Sequence, residues 1–100
     1  MGVNMKMLQQ MQTRLEKMQR ELAETVVEGS AGGGVVRARV TGAREFQGIA
    51  IEPSVVDPDD VDVLEDLITV AIQDAMNQAA SLAEEKMGTL TGGMRIPGLM

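Results

Sequence analysis

The chain has no cysteine, no histidine, no tryptophan and no tyrosine, and Phe46 is the single aromatic residue among 100. Without cysteine there is no disulfide framework and no thiol nucleophile. Without histidine there is no Cys/His zinc site, and the commonest general base is missing. The usual parts of an active site are therefore absent, and neither a catalytic residue nor a cofactor nor a metal is expected. The apolar runs are too short to span a bilayer, and the first residues lack the basic region and apolar stretch of a secretory signal. Met1-Gly2 begins a myristoylation motif, but Lys6 stands where Ser or Thr is required. The expectation is a soluble intracellular protein with no membrane or small-molecule partner.

What remains is aliphatic. Hydrophobic residues make up 44% of the chain and nine residues are methionine, so a core must be built from Val, Leu, Ile, Ala and flexible thioethers. One hundred residues make a single small domain. The net charge of −6 argues against nucleic acid until its distribution is considered. Residues 1–44 hold seven Lys/Arg against four Asp/Glu, whereas residues 45–100 hold two against eleven. One half is basic and the other acidic.

From Asn4 to about Val26, the apolar residues Leu8, Met11, Leu15, Met18, Leu22 and Val26 recur at steps of three and four. This spacing predicts an amphipathic helix of about 35 Å with a narrow seam, suited to lying along another helix. On its far side Lys6, Gln10, Thr13, Lys17 and Arg20 form a polar stripe with Arg14 beside it, and no acidic residue precedes Glu16. Such an arm suits DNA phosphates. It also suits a solvated face whose charges pair locally, since Glu16–Arg20, Lys17–Glu21 and Arg20–Glu24 are i,i+4 pairs and only Lys6 and Arg14 have no such partner.

The run Val27-Glu28-Gly29-Ser30-Ala31-Gly32-Gly33-Gly34-Val35-Val36 follows. A phosphate cradle is a poor reading of it, because Gly34 leads into a strand and no Gly-Lys-Ser/Thr follows. A joint between helix and sheet, with room for close backbone approach, fits better. Beyond it Val36, Ala38 and Val40 alternate with Arg37, Arg39 and Thr41, the period of a half-buried strand. Gly42 marks a turn and residues 47–52 alternate again, so a hairpin is expected with Phe46 as its aromatic anchor. Val26 to Ala31 supplies a third strand if it folds back across the glycines. Arg37 and Arg39 then share one face of the sheet.

Asp57-Pro58-Asp59-Asp60 predicts a helix start, with Asp57 as N-cap and Pro58 in the first helical position. A calcium loop is excluded by Asp62 and Ile68, which occupy the positions of its glycine and glutamate. Helical spacing through Leu64, Ile68, Ala71, Ala75, Ala79 and Leu82 continues to Met87, with Gly88 as a stop. Leu67, Val70 and Ile72 suggest burial on more than one side. That helix of about 45 Å exceeds the roughly 34 Å width of a compact 100-residue globule. The helices must protrude or be covered by a second copy. Residues 1–88 are expected to form the domain and residues 89–100 a flexible tail.

Taken in order, Glu28-Gly29-Ser30-Ala31-Gly32-Gly33-Gly34, Ile51-Glu52-Pro53, Val56-Asp57-Pro58 with Asp60, Leu64-Glu65-Asp66-Leu67-Ile68 and Leu90-Thr91-Gly92-Gly93 resemble the YbaB/EbfC family of bacterial nucleoid-associated proteins over nearly the whole chain. The resemblance implies an α+β protomer in the order α-β-β-β-α, a homodimer with paired, tweezer-like helical arms, double-stranded DNA as partner, and a place in the bacterial cytoplasm at the nucleoid. It implies no catalytic motif. The contact residues expected from charge and geometry are Lys6, Arg14, Lys17 and Arg20, with Arg37 and Arg39 as second choices. The competing reading is an acidic, methionine-rich module that binds a protein partner or nascent chain through Met5, Met7 and Met11. A hydrolase built on Asp59, Asp60 and Asp62 is the weakest reading, because helix-start charges explain those residues.

Overall fold

The computed structural model describes residues 4–90. Two helices flank a three-stranded sheet: α1 (Met5–Glu24), β1 (Val26–Ala31), β2 (Val36–Thr41), β3 (Phe46–Ile51), a single 3-10 turn (Pro53–Val55) and α2 (Val61–Leu90). The strands are antiparallel in the order β1-β2-β3. The α-β-β-β-α order expected from the sequence is present. Asn4 caps α1 by accepting a hydrogen bond from the Met7 backbone at 2.7 Å.

Alternation along β2 builds the core. Val36, Ala38 and Val40 point inward and are buried, whereas Arg37 and Arg39 face out. Against the inner face lie Ala71, Ala75 and Ala79, one small residue per turn of α2. Small side chains on both surfaces let helix and sheet approach closely. The limit is reached at Gly29, where a Cβ would collide with the backbone nitrogen of Ala75 and the carbonyl of Ala71 and stand 2.8 Å from the Ala75 Cα. Sequence reasoning allowed for such an approach within the glycine run. It falls inside β1, before the triple glycine.

The three consecutive glycines do something else. Gly32, Gly33 and Gly34 have φ of 61°, 75° and 100° and make the loop between β1 and β2, with the Gly34 N–H donating to the Ala31 carbonyl at 3.1 Å. The run therefore joins strand to strand. The chain passes from helix to sheet earlier, at Thr25, and Val26 lies in β1 rather than at the end of α1.

Thr41 organises the β2–β3 turn. Its buried Oγ1 accepts from the backbone N–H groups of Ala43 at 3.2 Å and Glu45 at 3.1 Å. Arg44 completes the turn in the left-handed region, φ 68°, which costs a side-chain-bearing residue about 1–2 kcal/mol. Glycine removes that strain but adds chain entropy to the unfolded state, about 0.5–1 kcal/mol. Arg44→Gly is expected to leave stability unchanged or raise it by about 0.5–1 kcal/mol. Thermal unfolding checks this, and any loss would show that the Arg44 side chain stabilises the turn.

Other expectations are corrected. Phe46 does not anchor the hairpin: it is opposite Val40 across a bulge at Gln47, at the exposed start of edge strand β3, whose Ile51 alone, among the described residues, packs against the core, and is 55% exposed. Asp57 closes a turn of its own, accepting from the Asp59 N–H at 2.9 Å, and α2 starts three residues past Pro58, at Val61. Gly88 does not stop α2, which runs on to Leu90. Thr89 and Leu90 are thus helical, and the rest of the expected tail lies outside the described residues. Val70 is exposed, so α2 buries one face only. The Cα radius of gyration, 19.0 Å, exceeds the roughly 13 Å of a compact domain of this length, because the helices extend past the sheet to an overall length of 68 Å.

Candidate nucleic-acid interface

α1 leaves the sheet as an arm. At its base Leu22 packs against Gly42 and Leu82, and the Gly42 N–H donates to the Thr25 carbonyl at 2.8 Å. One turn outward, Met18 is buried, and Lys86 of α2 reaches Glu21 at 3.5 Å. Beyond that point the arm is open to solvent. The seam divides sharply: Met18 and Leu22 are 8% and 6% exposed, whereas Leu15, Met11 and Leu8 are 37%, 53% and 48% exposed. The expected helix-on-helix contact exists, but only along the inner half of the seam.

Lys6, Arg14, Lys17 and Arg20 are all exposed on this arm. Lys6 and Arg14 line one shallow groove with Gln9, Gln10 and Thr13. Arg14 and Lys17 line a second groove of about 430 Å³ between α1 and the end of α2, where Glu85 and Lys86 form the opposite wall. Among the described residues, Glu16–Arg20, Lys17–Glu21 and Arg20–Glu24 do not close as ion pairs, and Glu21 instead reaches Lys86. Among the described residues, none of the arm's four cations is in an ion pair with a carboxylate of its own helix. Arg37 and Arg39 are exposed on the sheet face opposite α2 and thus stand apart from the arm.

The two sheet edges differ, a feature that strand alternation could not foretell. On β1 the outward Ser30 N–H donates to Asp74 Oδ2 at 3.0 Å, and the Glu28 carbonyl accepts from Gln78 Nε2 at 2.7 Å. Both partners belong to α2, one turn apart. Among the described residues no side chain does this for β3. The signal available in sequence was the Asp74/Gln78 pair at i,i+4 on the margin of the alanine stripe, but identifying its target required knowing that α2 crosses β1.

A small antiparallel sheet backed by one long helix, with a second helix carried off as a cationic arm, matches a known family. The model of the YbaB/EbfC DNA-binding family aligns with residues 1–94. The chain belongs to the YbaB/EbfC DNA-binding family. A relative in Chloroflexus aurantiacus, named a nucleoid-associated protein, is 56% identical over 91 residues, 91% of each chain. Another so named, in Alkaliphilus metalliredigens, is 50% identical over 95 residues, covering 95% of this chain and 83% of that one. An uncharacterized protein of Helicobacter pylori shares the YbaB/EbfC fold at a TM-score of 0.77 and 16% identity, over 91% of this chain and all of that one. In this YbaB/EbfC member no helix among the described residues is long and apolar enough to cross a membrane.

Proposed function

We propose that the protein binds double-stranded DNA as a homodimer, holding it mainly by its phosphates, and that it acts at the bacterial nucleoid in the cytoplasm in organisation or gene regulation. The observation that carries this reading is the α1 arm, whose four cations are exposed and unpaired with their helical neighbours, the first two preceded by no acidic residue. Lysine and arginine spaced along a rod neutralise phosphates without reading bases, so binding should be tolerant of sequence and sensitive to salt. The acidic first turns of α2, with Asp62, Glu65 and Asp66 exposed, would be repelled by the duplex and so orient the arms toward it. A mobility-shift titration against duplexes of varied sequence at two salt concentrations tests the reading. Sequence-independent binding that weakens steeply with salt supports it, and salt-insensitive binding overturns it.

The unsealed β3 edge supports the dimer. An exposed strand edge beside uncovered apolar side chains is a template for another strand, and Phe46 and Ile49 lie uncovered there. In solution, Phe46→Lys with Ile49→Lys is expected to shift the protein from dimer to monomer, as read by sedimentation velocity. A wild-type monomer, or a variant that remains dimeric, would refute this interface. The alternative, a module for a protein partner or nascent chain, draws on the exposure of Met5, Met7 and Met11. Pull-down at moderate salt separates the two, because partners held through DNA are released by nuclease.

A further inference from the structure

Among the described residues, nothing occupies the outer half of the α1 seam. Leu8, Met11 and Leu15 continue the line of Met18 and Leu22, but α2 covers only those two and ends at Leu90, beside Arg14. A single file of apolar residues at steps of three and four fits another helix carrying the same file. With Leu8 and Leu15 at heptad position a and Met11 at d, two parallel arms place Met7 of one opposite Gln12 of the other, and Arg14 opposite Gln19. No like charges face each other across such a seam. Lys6, Thr13 and Arg20 project about half a turn away, at roughly 100° per residue. One arm can therefore hold phosphate on one side and a second arm on the other. The open seam is short, about 10 Å from Leu8 to Leu15. It is too short to hold two proteins together at dilute concentration, but it becomes effective when DNA holds them close.

We infer that, on DNA, the open seam of one dimer's arm pairs with that of a neighbouring dimer, so that binding along the duplex is cooperative. This rests on the DNA-binding dimer proposed above. The chain contains no cysteine, so Met11→Cys places one thiol on each arm for a bis-maleimide cross-linker. Two duplexes separate the cases: one of about 20 bp, roughly as long as a protomer at 3.4 Å per pair, and one of about 100 bp. Cross-linking is expected to be several-fold greater on the long duplex than on the short one or without DNA. The variant Leu8→Gln, Met11→Gln, Leu15→Gln should bind the short duplex as the wild type does, while its Hill slope on the long one falls to about 1. Equal cross-linking without DNA would place the seam inside the dimer and overturn the inference. Unchanged cooperativity in the triple variant would also overturn it, as would loss of cooperativity on deleting residues 91–100, which would make that segment the occupant. Failure of the wild type to bind the short duplex would instead refute the DNA reading itself.

Discussion

Gly29→Ala should destabilise the protein by at least about 3 kcal/mol, the upper end of the usual cost of overpacking, lowering its melting temperature by roughly 12–24 °C for a domain of this size. The added methyl group would meet the main chain of α2 at Ala71 and Ala75, not a side chain that can change rotamer. Relief would require lifting α2 from β1, and that would open the packing of Val36, Ala38 and Val40 against the alanines of the helix. Gly33→Ala is the matching control. Its Cβ meets nothing within 4 Å, so the penalty comes from φ of 75° alone, about 1–2 kcal/mol. The two substitutions make the same chemical change four residues apart. Thermal unfolding followed by circular dichroism should rank Gly29→Ala well below Gly33→Ala, and equal losses would contradict the close approach of helix and strand.

Replacing Lys6, Arg14, Lys17 and Arg20 together with glutamine should abolish most of the salt dependence of DNA binding. The two arms of the proposed dimer would carry eight such cations, and a protein making 6–10 phosphate contacts loses about 10³–10⁵ in affinity between 50 and 200 mM salt. If all eight engage, the slope of log affinity against log salt should flatten by up to about 7. Glutamine has a helix propensity close to that of lysine and arginine, so the arm should survive, and far-UV circular dichroism verifies it. Splitting the set is informative because the structure divides it. Arg14 and Lys17 share their groove with Glu85, whereas Lys6 and Arg20 do not line it. The Lys6/Arg20 pair should therefore contribute at least as much as the Arg14/Lys17 pair. Arg37 and Arg39, on the far face of the sheet, should matter less. A quadruple variant that binds with the wild-type slope would move the interface off the arm.

Much of this was legible along the chain because local periodicity was enough. Strand alternation placed Val36, Ala38 and Val40 in the core, and helical spacing found the alanine stripe of α2 and the seam of α1. What escaped depends on which surfaces meet. Phe46 was expected inside because it is aromatic, yet it lies on a strand that the single backing helix is too narrow to reach. Gly29 was one of four glycines in a row of ten residues, and nothing local separated it from Gly33; only the crossing of α2 gives it a separate role. Pro58 marked a helix start correctly in kind, but Asp57 spent its side chain on its own turn and moved the start to Val61. Among the candidate contacts, the exposure of all six cations could be anticipated. Their division between arm and sheet could be too, but not which of the arm's cations share a groove with Glu85.

The treatment of the two sheet edges has a consequence for the size of the assembly. A sheet with both edges free can add copies at either side without limit, which is the geometry of a fibril. Here Asp74 and Gln78 engage the Ser30 N–H and the Glu28 carbonyl in the middle of the β1 edge, so a second protomer joining at β3, as proposed, would bring an obstructed edge to the far side. In the proposed β3-paired dimer, growth through the sheet would therefore stop at two, and the helix that supplies the core would also set the stopping rule.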